Sequence, residues 1–347
     1  MDLSEFDFHL PNELIAQEAE PTRDAARLMR LDRETDEIEH HHVCDLADLL
    51  KPGDLIVVND SRVIQARLLG RRDPSGGKAE CLLLSRLDET RWDALVHPGH
   101  KLRQGARAVF EAGEHYLELE VLECHFHGRR TIRLVSSGDD VEAAIEAVGH
   151  TPLPPYIKRK DQSADRERYQ TVFARTPGSV AAPTAGLHFT PELLARLSNR
   201  GIARQAITLH VGYGTFEPVR TAKVEDHRVA AEHYYVSEET AEAVNCALDE
   251  ERRIIAVGTT TTRTLEAVAR LNGGRLRPGE GQTDLYIHGS FDFKVVGGLL
   301  TNFHLPRSSL LLLAAAFTGH ERILAAYGQA IARCYRFYSY GDAMLIL

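Results

Sequence analysis

Residues 253–266, RIIAVGTTTTRTLE, indicate the fold most strongly. An apolar run from 254 to 257 leads into Gly258 and four threonines, and a helical spacing of apolar residues follows from 265 to 271. An uninterrupted apolar run of this kind is typical of a parallel strand buried on both faces. We therefore predict a strand, a glycine turn and a helix, which is the repeating unit of an α/β domain.

The alternation of strands and helices continues on both sides of this unit. Thr190 and Pro191 are typical of a helix start, and Gly201 is typical of a helix end. Strands are predicted at 55–58, 203–211, 253–257 and 284–287, and helices at 191–200, 238–252, 265–271, 309–317 and 321–334. Together these elements predict an α/β domain whose mainly parallel sheet carries helices on its faces.

Residues 63–136 have a different pattern. Six short runs alternate apolar and polar residues, and each run ends at Gly, Pro, Asp or Ser, which is typical of antiparallel strands. Six such strands need closure to protect their edges, so we predict a small antiparallel β-barrel. The predicted domains are an α/β main domain of residues 1–62 and 150–347, and an inserted β-barrel domain of residues 63–149.

The composition is that of a globular protein with about two domains. Its 347 residues are 43% apolar and 26% charged, and the net charge of −9 argues against a protein that coats nucleic acid indiscriminately. We find no secretory signal and no apolar run near the roughly 20 residues of a membrane helix, so we expect a cytoplasmic protein without a membrane segment. The five cysteines form no CxxC pair, and the histidines at 40–42 have no partner at ligand spacing, so no metal site is predicted.

Several segments at predicted strand ends combine polar residues with glycine or aromatic residues. They are 59–62, 182–190, 210–216, 258–266, 301–306 and 338–342. Ligands of α/β proteins bind at strand ends, and helix starts attract anions, so these segments are candidates for a binding site. A turn at 59–61, a loop with a capped helix at 182–190, a strand-end loop with a buried histidine at 210–216 and a threonine-rich cap at 258–262 remain alternative explanations.

At these segments the chain resembles the S-adenosylmethionine:tRNA ribosyltransferase-isomerase family of the queuosine pathway. The matching stretches cover nearly the whole chain and occur in the family's order. They are LPNELIAQEAEPTRDAARL at 10–28, PGDLIVVNDSRVIQARL at 52–68, APTAGLHFT at 182–190, LHVGYGTF at 209–216, the GTT–RTLE frame at 258–266, LTNFHLPRS at 300–308 and YSYGDAMLI at 338–346.

This resemblance implies an enzyme and its substrates. The ribosyl part of S-adenosylmethionine would be transferred to 7-aminomethyl-7-deazaguanine at the wobble position of tRNA and isomerised, which gives epoxyqueuosine-tRNA and releases adenine and methionine. S-adenosylmethionine would be a co-substrate, with no bound cofactor. The expected partners are therefore that tRNA and S-adenosylmethionine, and a monomer is expected.

The motifs also supply the expected site residues. His188 and His210 are the expected acid and base, with Asp60 as the alternate, because imidazole titrates near neutrality. Aromatic side chains of the motifs would face the sulfonium, and Arg263 with the helix start would hold the methionine carboxylate. The expected S-adenosylmethionine-binding residues are Thr184, Gly186, Phe189, Gly212, Tyr213, Gly214, Thr215, Phe216, Gly258, Thr259, Thr260, Arg263, Glu266, Asn302 and His304. The expected contacts to tRNA phosphates are Arg62, Arg67, Lys158, Arg159 and Lys160.

Two other functions are compatible with parts of the sequence. One is a non-catalytic RNA-binding module in which the barrel reads the RNA. The other is an S-adenosylmethionine-dependent methyltransferase, against which stands the lack of an early glycine-rich turn followed by an acidic ribose-binding residue. The three functions differ in their products, which are free adenine with methionine, no product, and S-adenosylhomocysteine respectively.

Overall fold

The computed structural model describes residues 1–136, 138, 140–216 and 218–347. It contains a nine-stranded sheet with helices and a closed six-stranded antiparallel barrel, and a short two-stranded sheet lies between them in the chain. The predicted fold class, an α/β main domain with a small antiparallel barrel, is confirmed.

The strands and helices have the following bounds. The strands are β1 Arg27–Leu31, β2 Ile38–His42, β3 Leu55–Asn59, β4 Ser61–Val63, β5 Arg67–Asp73, β6 Lys78–Arg86, β7 Arg91–His97, β8 Arg107–Ala112, β9 His115–Cys124, β10 Arg129–Ser136, β11 Thr176–Ser179, β12 Ala203–Leu209, β13 Glu232–Val236, β14 Ile254–Val257, β15 Gly279–Thr283, β16 Gly298–Asn302 and β17 Ala343–Ile346. The helices are α1 Leu46–Leu49, α2 Val141–Val148, α3 Asp165–Arg168, α4 Pro191–Asn199, α5 Glu238–Asp249, α6 Thr259–Leu271, α7 Ser309–Thr318 and α8 His320–Ala332.

The large sheet is mixed: its central strands are parallel, and its outer pairs are antiparallel except β17 and β1, which are parallel. Its strand order is β15-β13-β12-β3-β14-β16-β17-β1-β2. The four central strands β12, β3, β14 and β16 are mutually parallel, whereas β13, β15 and β2 pair antiparallel with their neighbours, as β17 does with β16. Every residue of β3, β14 and β16 is buried, as the apolar run at 254–257 predicts for β14. The carboxyl ends of the four parallel strands therefore meet at one edge of the sheet.

Two local predictions in this domain are wrong. The strand predicted at 284–287 is instead Gly279–Thr283, because the following backbone is bonded by a side chain: Nε of Arg263 donates to the carbonyl of Leu285 at 2.9 Å. Helix α6 begins at Thr259 rather than at 265. Its threonines fit inside the helix because their hydroxyls donate to carbonyls four residues earlier, as Thr261 does to Val257 at 2.8 Å.

The barrel closes in the order β10-β7-β6-β5-β8-β9. Its interior is filled by fully buried side chains such as Leu68, Phe110 and Ile132, so it is a packed core rather than a channel. The two connections to the rest of the chain lie side by side, since the backbone amides of Arg67 and His150 each donate to the other residue's carbonyl, at 3.3 and 2.8 Å. The domain boundaries at 62/63 and 149/150 stay a prediction.

Within the described ranges no single helix has both the length and the apolar character to cross a membrane. Only α7 and α8 taken together reach that length and composition, and they meet at an angle of 115°.

Candidate active site

Three adjoining cavities follow the carboxyl ends of the central strands toward the barrel. The inner cavity has a volume of about 140 Å³, the middle cavity about 250 Å³ and the outer cavity about 730 Å³. The inner and middle cavities share Thr215 and Leu310, and the middle and outer cavities share Gly212 and Glu232. The three cavities therefore lie side by side, and together they are called the cleft; it lies where ligands of α/β sheets bind.

The inner cavity contains much of the predicted S-adenosylmethionine site. The expected binding residues that line it are Thr184, Thr215, Gly258, Thr259, Thr260, Asn302 and His304. Gly258 links β14 to α6 with φ of +91°, a left-handed backbone conformation that side-chain-bearing residues rarely adopt. The first amides of a helix have no intrahelical acceptor, so the start of α6 offers N–H donors and a positive dipole end to the cavity.

Asn302, at the end of β16, uses only one of its two polar side-chain atoms in hydrogen bonds to the described residues. Its Nδ2 donates to Nε2 of His188 at 3.1 Å and to the carbonyl of Tyr338 at 3.1 Å. Its Oδ1 is buried and has no hydrogen-bond partner among the residues that the structure describes, and the residue is only 2% exposed. Because an unpaired buried carbonyl is costly, a hydrogen-bond donor placed against this oxygen would stabilise the site.

His188 and His304 flank this asparagine in different ways. His188 is not part of the inner cavity wall but lies behind Asn302, and burial lowers its pKa to about 4. His304 does line the cavity; its Nε2 is 2.8 Å from Oγ1 of Thr301, and burial lowers its pKa to about 3. Both imidazoles are therefore neutral at pH 7.

Two tyrosines that the sequence did not single out as binding residues form an aromatic wall of the inner cavity. The rings of Tyr156 and Tyr338 are stacked with centroids 3.9 Å apart. Tyr338 has φ of +75°, a strained conformation for an aromatic residue, and its hydroxyl is a second buried polar atom for which the described residues provide no partner. The YSYGD motif pointed to Tyr338; the signal for Tyr156 was only its position after a proline-rich connection.

The middle cavity places Tyr213, Gly212, Gly214 and Arg263 together, but Arg263 is already paired. It forms an ion pair with Glu232, and its Nε donates to the Leu285 carbonyl. Glu232 also accepts from the Gly212 amide at 2.8 Å. Arg263 is thus part of a buried ion pair that shapes the glycine loop, and sequence reasoning missed Glu232 because it stands in no motif.

The outer cavity lies between the main domain and the barrel and contains His210. Its Nδ1 is buried and has no hydrogen-bond partner in the described part of the chain, and its ring lies against Gly178, where a Cβ would come within 2.7 Å of it. Burial lowers the pKa of His210, as does nearby His233, whereas Asp60 raises it. Trp92 from the barrel lines the same cavity.

Four of the predicted residues serve the fold and line none of the three cavities. Asp60 accepts from Oγ1 of Thr208 at 2.6 Å and from Arg175 at 3.0 Å. Glu266 is fully buried and accepts the backbone amides of residues 294–296. Phe189 and Gly186 both pack against Phe173, and Phe189 has no exposed surface. The side chain of Phe216 lies outside the described residues.

The five predicted tRNA contacts differ in how free they are. Arg159 is held by both carboxylate oxygens of Asp165, at 2.7 and 2.8 Å. Arg67 is paired with Glu80 at 2.8 Å, and Arg62 is 4.0 Å from Glu146. Lys158 and Lys160 are exposed.

By its fold and its cleft, the chain is of the α/β class of proteins that bind their ligand at the carboxyl ends of parallel strands. The profile of the family described as queuosine biosynthesis protein matches residues 3–346, so the chain belongs to that family. It is 50% identical to the S-adenosylmethionine:tRNA ribosyltransferase-isomerase of Pelotomaculum thermopropionicum and 51% identical to that of Symbiobacterium thermophilum, each over 347 residues and 100% of both chains. A crystal structure of S-adenosylmethionine tRNA ribosyltransferase from Thermotoga maritima is similar with 39% identity and a TM-score of 0.56, over 99% of this chain and 100% of that one.

Proposed function

We propose that the chain transfers and isomerises the ribosyl part of S-adenosylmethionine onto tRNA, with release of adenine and methionine. The acceptor is 7-aminomethyl-7-deazaguanine at the wobble position, and the product is epoxyqueuosine-tRNA. The names of relatives at about 50% identity over the full chain favour this enzyme over the RNA-binding-module alternative. The monomeric state and the cytoplasmic location stay predictions.

The groups that line the inner cavity are the observation that supports the proposal most. The inner cavity combines the start of α6 with the buried, unpaired Oδ1 of Asn302. An N–H-rich helix start suits a carboxylate, and a lone acceptor suits a donor group of the same ligand. The aromatic wall of Tyr156 and Tyr338 suits a sulfonium or a nucleobase. We therefore place the donor substrate in the inner cavity.

The chemistry needs a base and an acid close to that donor. The sulfonium acidifies the C5′ protons; loss of one to a base opens the ribose, and adenine departs with the glycosidic electron pair and takes a proton on nitrogen. The acceptor amine bonds to the opened ribosyl carbons and gives up a proton, and methionine departs as a neutral thioether with the C–S pair as the new ring closes. Of the three predicted acid–base residues, His210 is the one that lines the cleft; it lies in the outer cavity, on the acceptor side, where its imidazole, whose pKa burial lowers, can take the proton that the acceptor amine loses. Neutral His304 is the second candidate, in the inner cavity itself.

The tRNA would approach from the barrel side. The outer cavity is the largest of the three, and Trp92 of the barrel and Arg62 line it. Exposed Lys158 and Lys160 are the predicted phosphate contacts with the fewest competing partners. The acceptor amine would then reach the donor through the middle cavity.

Product analysis tests this function. The protein is incubated with tRNA that carries the 7-aminomethyl-7-deazaguanine base and with S-adenosylmethionine labelled in adenine and in the methyl group. We expect equal amounts of free adenine and methionine, and tRNA that has gained the ribosyl carbons. S-adenosylhomocysteine would instead identify a methyltransferase, and tRNA binding without any small-molecule product would identify a binding module.

A further inference from the structure

We infer that Oδ1 of Asn302 binds the α-ammonium group of S-adenosylmethionine and that His188 is a positioning residue for Asn302. The inference rests on the proposed function, because it names the group of the donor substrate that this asparagine recognises. It also gives His188 a role other than the acid–base role predicted from the sequence.

The surroundings of Asn302 fix which way its amide points. The carbonyl of Tyr338 can only accept, so the Asn302 atom that lies 3.1 Å from it is the donor Nδ2. Nε2 of the neutral His188 ring also faces Nδ2 and accepts from it. A flipped amide would set its oxygen against the Tyr338 carbonyl, so Oδ1 is the atom left for the cavity.

The position of Asn302 relative to α6 selects the ligand group. Strands β14 and β16 are parallel neighbours with Val257 opposite Leu300, and the Gly258 amide donates to the Leu300 carbonyl at 2.8 Å. The helix start and Asn302 thus stand at adjacent strand ends and line one cavity. An α-amino acid carries a donor-free carboxylate and an acceptor-free ammonium on one carbon. A row of N–H groups beside a single carbonyl oxygen complements that pair.

The other hydrogen-bond donors of S-adenosylmethionine fit the position beside Oδ1 of Asn302 less well. A ribose hydroxyl or the adenine amine would also donate to Oδ1, but neither carries a carboxylate that would use the helix start beside it. Those parts of the molecule have the stacked pair of Tyr156 and Tyr338 in the same cavity. The methionine part is accordingly assigned to the strand ends.

The experiment compares two ligands by titration calorimetry of the full chain. One ligand is S-adenosylmethionine, and the other is its analogue without the α-amino group. The quantity of interest is the ratio of the two dissociation constants, which reports recognition of the ammonium and which a general loss of stability does not change. A charge-assisted hydrogen bond predicts a ratio of roughly 10 to 100 for the wild-type protein.

Four variants separate recognition from folding. Asn302→Leu removes the acceptor and should bring the ratio to about 1, by weakening S-adenosylmethionine only. His188→Leu removes one of the two acceptors that orient the amide and should lower the ratio, whereas His188→Gln retains an acceptor and should restore it. Asn245→Leu is the matched control, because Asn245 makes the same kind of side-chain bonds to the Leu276 backbone but does not line the cleft.

Each outcome decides a separate point. A wild-type ratio near 1, or an Asn302→Leu variant that keeps the wild-type ratio, overturns the assignment of Asn302. The wild-type ratio needs no variant, so the test holds even where Asn302→Leu does not fold. A His188→Leu variant with a lower unfolding temperature and an unchanged ratio overturns the positioning role. A wild-type protein that binds neither ligand, both alone and with the precursor tRNA present, overturns the proposed function itself.

Discussion

The inner and outer ends of the cleft are built in opposite ways. The inner cavity is about 140 Å³ and is walled by buried polar groups that are fixed by the backbone, such as Asn302 and the start of α6. The outer cavity is about 730 Å³, and charged side chains such as Arg62 and Glu146 line it. A small rigid site suits a small donor molecule, and a larger open cavity leaves room for a nucleotide of the tRNA. The comparison predicts that donor recognition and tRNA engagement fail separately under mutation.

The largest effect should come from His210, which links the outer cavity to the chemistry. His210→Gln keeps a polar side chain but removes a group that can accept and release a proton, so turnover should fall by roughly 10²- to 10⁴-fold. The affinity for S-adenosylmethionine should not change, because His210 does not line the inner cavity. Single-turnover formation of the modified tRNA and donor titration measure the two quantities. Normal turnover in this variant would remove His210 from the mechanism.

The next effect concerns how the free energy of unfolding depends on pH, and we expect His188 and His304 to contribute most to it. Burial lowers the pKa of His188 to about 4 and that of His304 to about 3, from an ordinary 6.5. Between pH 6.5 and 4 the unfolded chain binds protons that the folded chain does not, so the free energy of unfolding should fall as the pH falls. The loss is on the order of 3 kcal/mol per histidine.

Denaturant titrations from pH 8 to pH 4 measure this dependence. His304→Gln should flatten the curve below pH 6.5, whereas a variant of exposed His115 should leave it as steep as in the wild type. An equal slope for His304→Gln and wild type would show that the buried imidazole is not the source.

A third variant targets the backbone of the inner site. Gly258→Val forces a β-branched residue into φ of +91° at the start of α6, which costs about 1–3 kcal/mol of strain. If the loop relaxes only on loss of the donor, the affinity for S-adenosylmethionine should fall by roughly 5- to 100-fold. Gly273→Val is the control, because Gly273 also has positive φ, at +65°, but lies in open space after the same helix. Both variants should lose stability, and only the first should lose affinity in donor titrations. Equal donor affinity in the two variants would contradict the inner-cavity assignment.

The smallest effect concerns the surface contacts to tRNA. Lys158→Ala and Lys160→Ala should each weaken tRNA binding and lower the slope of log affinity against log salt by about one, with donor affinity unchanged. Lys51→Ala is the control, since Lys51 is equally exposed but precedes β3, at the opposite edge of the sheet. Filter binding from 50 to 300 mM salt measures the slope. A slope that also falls for Lys51→Ala would mean that the charge acts without regard to position.

The two ends of the cleft also differ in how well the sequence predicts them. The inner site follows from motifs, because a strand followed by Gly258 and a helix start is a local pattern with one geometry. Asp60 and Glu266 line none of the three cavities, and the sequence could not show this, because a carboxylate in a motif looks the same whichever group it binds. Here Asp60 accepts from the side chains of Thr208 and Arg175, and Glu266 accepts from backbone amides. Glu232 and Tyr156 were missed because each reaches the cleft through contacts far apart in sequence.

The most direct test of the account is a crystal structure of the protein with S-adenosylmethionine bound. The account predicts donor density in the inner cavity, with the methionine carboxylate at the first amides of α6 and the ammonium at Oδ1 of Asn302. Density for the donor in the outer cavity beside Trp92, with the inner cavity occupied by water alone, would contradict it.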